Sequence, residues 1–388
     1  MINRIKHLPA VLAGTIALSA ADAAAADPFV LCISKSNHKI AARSSCTRSE
    51  VRLQTADQLR GPTGTDGALR IYGDGSSGPL NITADTNWTA NPPVSSANYY
   101  TDVTIAAGAT LTVPSGYVFR CSGKFDVSGS VVVEPVPTFA AEGDMVGNPG
   151  ISAQPPESQH RLSFNGSVNL GGRGGRGLQS KISAASLRPG IVYGGGTSIA
   201  EYHSNNGSGG GVLFVLAKGE IVVHPGGTIS ADGKDGSIGS GGGGGGILVL
   251  ASATAVNNLG TVSAKGGHGS EPDSAATKGG GGLVTTTGAG GGGGGGVIQF
   301  FSPVITTGVN SVKGGVGGDA QYFGSLNSLI LTGAGGAGSY GDGGNGGSVE
   351  FKGPYVDGGN VGAIQSGPAT DGTDGIVIET PVDPTFSI

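Results

Sequence analysis

From Tyr99 onward, apolar and polar positions alternate in short runs, each interrupted by a glycine-bearing turn and closed by paired glycines. Phe125-Asp126-Val127, a turn at Ser128-Gly129 and Ser130-Val131-Val132-Val133 form the first clear copy. Residues 162–172, 221–233 and 256–267 repeat that order, and 304–315 and 355–367 are weaker copies. A period of two places every second side chain on one face, so each run reads as a strand with one apolar row. Glycine runs at 209–211, 241–246, 290–296 and 346–347 open directly into apolar strands at 212–216, 247–250, 297–301 and 348–351. The spacing of these openings stretches where insertions fall, at 134–160, 178–206, 267–290 and 317–327. A repeat that tolerates insertions on one side is the mark of a stacked architecture.

One such unit carries only two or three apolar side chains per strand, too few to bury a core. Stacking each strand parallel over its equivalent joins these rows into one apolar column and pairs the backbone groups of successive coils. The connections are short stretches of Gly, Asn, Ser and Asp, which suit sharp corners. A doubly wound α/β fold would need crossover helices between parallel strands, and no such pattern is present. A β-sandwich is the rival, since antiparallel hairpins explain short turns, but it does not explain the recurring order. The expected fold is therefore all-β, a parallel β-helix or solenoid with glycine-rich segments and inserted loops.

Composition supports this. Of 388 residues 78 are glycine, and charged residues are 13 % against roughly a quarter in ordinary proteins. Glycine is penalised inside helices, so long helices are not expected. No strict three-residue glycine period runs through the chain, which excludes collagen as the whole answer. Hydrophobic residues reach 37 % and cluster in β-branched runs, which argues against disorder.

The first residues read as a secretory leader over 1–26. Arg4 and Lys6 precede an apolar stretch at 8–18 and a small-residue zone at 20–26, with a cut expected before Asp27 or, alternatively, after Ala23. Removing Arg4, Lys6 and Asp22 takes the formal charge from −5 to −6. No later segment is long and apolar enough to span a membrane as a helix. Residues 27–60 form a cysteine-bearing segment, 61–98 a Gly/Pro-rich linker or cap, and 99–388 the repeat domain. In an oxidising compartment Cys32 and Cys46 are expected to staple a hairpin across a turn at 35–38, leaving Cys121 as a buried thiol.

The search for chemistry gives little. Asp232, Asp235, Asp319, Asp342, Asp371 and Asp374 sit beside or near glycine in the repeat region, a placement that turn chemistry explains. All arginines fall at or before Arg188. No metal or other cofactor is expected, although weak Ca²⁺ binding at the Asp-Gly turns stays open. His160, His203, His224 and His268 are isolated. The short basic stretch at 171–177 lacks interleaved aromatics, so no nucleic-acid partner is expected. Tyr193, Tyr202, Tyr322, Phe323 and Tyr340 lie near glycine-rich insertions and are the candidate recognition residues.

The stretch Val103-Thr104-Ile105-Ala106-Ala107-Gly108-Ala109-Thr110-Leu111-Thr112-Val113 resembles the opening coil of right-handed parallel β-helix proteins of the pectate-lyase-like kind. The chain looks closest to their glycine-rich bacterial secreted and surface members. Its glycine blocks also resemble the polyglycine-II segments of phage tail-fibre adhesins, in which packed glycine helices hold recognition loops. The resemblance implies a secreted, non-enzymatic structural or adhesive protein of the cell surface, a filament or a matrix. Its partners would be a surface polysaccharide, a protein, or further copies of itself joined along the coil axis. A polysaccharide lyase or hydrolase is the alternative. An ice-binding protein is a second, for which only Thr110-Leu111-Thr112 and Thr285-Thr286-Thr287 offer the stacked threonines required.

Overall fold

The computed structural model describes residues 30–34, 40–43, 45, 47–53, 65–93, 99–134, 159–160, 195, 207–237, 240–271, 284–287, 289–319, 321–325, 328–332, 335–336, 338–347, 349–352 and 363–386. The leader at 1–26 and the copy at 162–172 lie outside them. The chain divides into two units, residues 1–64 and 65–388.

In the first unit β1 (Val30–Ser34), β2 (Ile40–Arg43) and β3 (Glu50–Leu53) form an antiparallel sheet with β1 in the centre. β1 and β2 flank the expected turn and pair from Val30–Arg43 to Ile33–Ile40. Cys32 stands opposite Ala41 and Arg52. Cys46, and with it the expected disulfide, lies outside the described residues.

The second unit opens with α1 (Thr65–Tyr72). The chain then coils through β4 (Leu80–Ile82), β5 (Thr86–Asn87), β6 (Tyr99–Tyr100), β7 (Val103–Ile105), β8 (Thr110–Val113), β9 (Tyr117–Cys121), β10 (Phe125–Val127) and β11 (Ser130–Val133). Beyond β12 (Gln159–His160) it continues through β13 (Val212–Ala217), β14 (Ile221–Val223), β15 (Thr228–Ser230), β16 (Ile247–Ser252), β17 (Ala255–Asn258) and β18 (Thr261–Ser263). After β19 (Val284–Thr287) come β20 (Val297–Phe301), β21 (Val304–Thr306), β22 (Val309–Ser311), β23 (Gln321–Ser325), β24 (Ser328–Thr332), β25 (Val349–Lys352), β26 (Ala363–Ser366) and β27 (Ile376–Thr380).

Three six-stranded sheets result: β4-β7-β10-β14-β17-β21, β5-β8-β11-β15-β18-β22 and β6-β9-β13-β16-β20-β27. Neighbours in all three are parallel. This is the parallel β-helix, and the parallel pairing excludes the antiparallel sandwich.

Register explains the core. Val103, Phe125, Ile221 and Val256 stack in the first sheet, Leu111, Val131, Ile229 and Val262 in the second, and Phe119, Val215, Leu250 and Phe300 in the third. All are fully buried in one cluster inside the coil. Trp88 closes it near the first coils, with ring centroids 5.2 Å from Tyr117 and 5.9 Å from Phe119. In the third sheet β13, β16 and β20 are buried on both faces. Their outer side chains, including Phe214, Val249 and Phe301, form a second cluster with Ile71 and Tyr72 of α1. That double burial is why β13, β16 and β20 read as continuous apolar runs rather than alternating ones.

Two sequence expectations are corrected. The described part of the strand expected at 348–351, β25, and the described end of the weak copy at 355–367, β26, are not coil strands, because they pair antiparallel with each other. Residues 355–362 lie outside the described residues. The third sheet continues instead with β27, paired to β20. Residues 341–347 and 367–375 both run beside the glycine run 290–296, but 341–347 pass it from Gly295 to Gly292, whereas 367–375 pass it from Gly292 to Gly295 and deliver the chain to that sheet edge. The coil also begins earlier than Tyr99. β4 and β5 are three and two residues long, too short to show a period.

Candidate functional site

Glycine segments connect the second sheet to the third. Residues 231–236, 264–270 and 312–318 leave β15, β18 and β22, while 207–211, 240–246, 289–296 and 367–375 lead into β13, β16, β20 and β27. A further pair, of which residues 335–336, 338–339 and 341–347 are described, meets at Tyr340.

The run 290–296 sits in the middle of these segments. Gly290, Gly293 and Gly296 donate to the carbonyls of Ser270, Gly267 and Ala264, Gly292 and Gly295 to those of Thr370 and Thr373, and Gly294 to that of Gly336. Its own carbonyls accept from Gly242 and Gly245, from Gly315 and Gly318, and from Gly341 and Gly344. All these N···O distances lie between 2.7 and 3.1 Å. The partner returns every third residue, the period of an extended three-residue-per-turn helix. Six segments therefore surround this one, and they bond to one another in a ring through Gly267–Gly243, Gly266–Lys313, Gly372–Gly315, Thr373–Asp342, Gly335–Gly344 and Gly336–Gly242. A methyl group on Gly292, Gly293, Gly294 or Gly296 would overlap the carbonyl oxygen of Gly315, Gly243, Gly341 or Gly246. The longest glycine run in the chain is thus the one with neighbours on every side.

Segments on the outer row carry a side chain at every third position, facing away from the glycines. Across that row these groups satisfy the backbone of the next segment. Asp232 and Asp235 accept the N–H groups of Lys265 and His268, both at 2.7 Å. His268 Nδ1 accepts the N–H of Val316 at 3.0 Å, and Glu271 that of Asp319 at 3.1 Å. Asp371 and Asp374 accept from Gly317 and Gly314, at 2.9 and 3.0 Å. The Lys313 ammonium, 2.6 Å from Asp374, and the Gly314 N–H hold the Asp374 carboxyl below the usual carboxylate range. The candidate acids are therefore spread along segment edges rather than gathered. Among the described residues no three His, Cys, Asp or Glu side chains are placed to share a metal ion. Glu271 escaped the sequence reading, although it follows His268 by the three residues that set the ladder.

The layer has a rim. Ser270 donates to Ser240, Gly290 to Ser270, Gly318 to Gly290, Gly347 to Ala289 and Ala369 to Gly318, each at 2.9–3.1 Å. These bonds tie together the ends at which segments leave or re-enter the layer. The insertions at 271–289, 318–335 and 347–367 accordingly spring from one common edge. Tyr322 and Phe323 belong to the middle insertion, on β23, opposite Gln365 and Ile364 of β26. Tyr340 is at the other end of the layer, half-buried against the outer apolar cluster. Tyr193 and Tyr202 lie outside the described residues.

The outer faces of the coil differ in chemistry. On the second sheet Thr110, Ser130, Thr228 and Thr261 stack in one column, and Thr112, Val132, Ser230, Ser263 and Ser311 in another. On the first sheet Asp126 bonds His224 at 2.9 Å and Lys124 at 3.3 Å. The threonines at 285–287 belong to β19, away from the coil, against β24. A shallow cleft of about 180 Å³ lies between α1 and the third sheet, lined by Ala68, Leu69, Gly73, Asp74, Ser122 and Lys218. Ligand pockets are usually roughly 300–1,000 Å³, so it is small for a substrate. Among the described residues no helix is long and apolar enough to cross a membrane. No known protein family, curated protein or solved structure matches the chain.

Proposed function

We propose that the protein is a secreted, non-enzymatic structural or adhesive element of the cell surface, an extracellular filament or a matrix. The coil and its glycine layer act as a stiff scaffold, and the rim insertions meet a surface polysaccharide or protein. The observation that carries this reading is the common edge. Separate insertions share one hydrogen-bonded platform, which cuts the ordering cost of binding through several loops at once. Further copies of the chain are a second partner. Val304 and Val309, on the last strands of the first and second sheets, are 54 % and 60 % exposed, and an open strand edge with apolar flanks invites pairing. Immunogold electron microscopy of producing cells, with binding assays on purified mature protein, tests the proposal. Label on the surface, filaments or matrix, and binding lost when residues 321–325 are replaced by a Gly-Ser linker, is the expected result. Label confined to the cell interior overturns it.

A second reading rests on the second sheet. Its outer columns carry mostly Thr and Ser hydroxyls and no charge, at a strand spacing of about 4.8 Å. A regular uncharged hydroxyl array can join an ordered water lattice, as an ice-binding face does. Purified protein that slows ice recrystallisation, with the effect lost in Thr228→Tyr and kept in Val222→Tyr on the first sheet, would favour it. Unaltered ice growth rejects it.

A further inference from the structure

We infer that His268 is a pH-sensitive clasp in the glycine layer, whose protonation breaks the one side-chain bond from residues 264–270 to the Val316 amide beside the rim, while the backbone bonds Gly266–Lys313 and Gly269–Val316 stay. The contact fixes the tautomer. A backbone N–H can only donate, so His268 Nδ1, 3.0 Å from the Val316 nitrogen, carries no proton. An imidazolium has a proton on both nitrogens and cannot accept that bond. The ring is exposed, so a proton reaches it without prior unfolding.

The charged groups on the surrounding segments are Asp232, Lys234 and Asp235 on one side, Lys265 and Glu271 on its own segment, Lys313 and Asp319 on the next, and Asp371 and Asp374 beyond. Asp235 takes the His268 backbone N–H, Glu271 that of Asp319, and Asp371 that of Gly317. A carboxyl oxygen keeps acceptor lone pairs whether charged or neutral, unlike a ring nitrogen, which loses its lone pair when it takes a proton. Mild acidification thus removes one bond of this ladder and leaves the others in place. The loosened amide is that of Val316, shortly before the insertion that carries Tyr322 and Phe323. The consequence for loop presentation rests on the function proposed above, whereas the clasp itself does not.

Amide hydrogen exchange on the full chain tests the clasp without any binding partner. After correction for the intrinsic pH dependence of exchange, Val316 should be about tenfold less protected in mildly acidic than in mildly alkaline buffer. Gly293 should not change. In His268→Asn the side-chain carbonyl can replace the ring acceptor and does not titrate, so the pH dependence should vanish. Constant protection at Val316 in the natural protein, or the same dependence in His268→Asn, overturns the inference. Failure of rim binding with the exchange result intact would sink only the proposed function.

Discussion

Glycine serves two separate purposes at the level of single residues. Gly108 turns a corner with φ +80°, and a methyl group there would meet nothing within 4 Å. Gly293 has an ordinary backbone, and its missing Cβ is what lets the Gly243 carbonyl approach. Gly108→Ala should therefore cost only the left-handed strain, about 1–2 kcal/mol. Gly293→Ala should cost more than about 3 kcal/mol, because the obstacle is backbone held on every side. Urea-unfolding midpoints of the two variants check the order, and equal losses would contradict it. Buried titratable groups give a second test. Burial pushes Tyr72 up to about 12, against a smaller lowering by its bond to Thr385. The folded state then holds this proton more tightly than the unfolded chain. The resulting stability is complete below the ordinary tyrosine value of about 10 and is lost as pH rises through 12. Tyr72→Phe should flatten that alkaline loss in thermal melts. Burial likewise pushes the Cys121 thiol up, so thiol reagents should label it only with unfolding.

Between residues and the whole, the elements show how far the pattern could be read. Period-two alternation identified β10, β11, β14, β15, β17 and β18, because one face of each looks into the coil and the other into water. β13, β16 and β20 were also visible, as apolar strands directly behind glycine runs, without the burial of both their faces being read. What escaped was where a segment lies relative to its neighbours. β25 follows paired glycines and β27 does not, yet β27 is the coil strand, because residues 341–347 pass the glycine run toward Gly292 and residues 367–375 pass it toward Gly295 and the sheet edge. Asp232, Asp235, Asp371 and Asp374, read as turn residues, turned out to bridge segments, a role that shows only as a three-residue spacing of Asp, Lys, His and Glu among glycines. Of the candidate aromatic residues, Tyr340 anchors the layer to the third sheet, which spacing alone could not distinguish from exposure. The lowered pKa of Asp374 gives this scale its own prediction. Its contribution to stability is present above the ordinary aspartate range and is lost as pH falls below it. Asp374→Asn should weaken that acid dependence in melts taken between about pH 5 and pH 2.

Across the coil unit, two ways of filling space adjoin. Inside the three sheets apolar side chains interdigitate in columns. Beside them, backbones without side chains pack around one another, and hydrogen bonds do what side chains do elsewhere. The first is ordinary hydrophobic stabilisation, and Phe119→Ala should cost about 3–5 kcal/mol. The second has little apolar side-chain area to bury and must overcome the large backbone entropy of glycine, so it holds only if the amides are locked in place. The proposed loop-presenting role needs that locking, since a slack layer would give the insertions no common edge. Hydrogen exchange of the run 290–296 in the intact protein is the most direct measurement. The account predicts amides protected to the level of the coil strands, on the order of a thousandfold or more over an unstructured chain. Exchange of those glycines at the rate of a free linker, with the coil strands still protected, would contradict it.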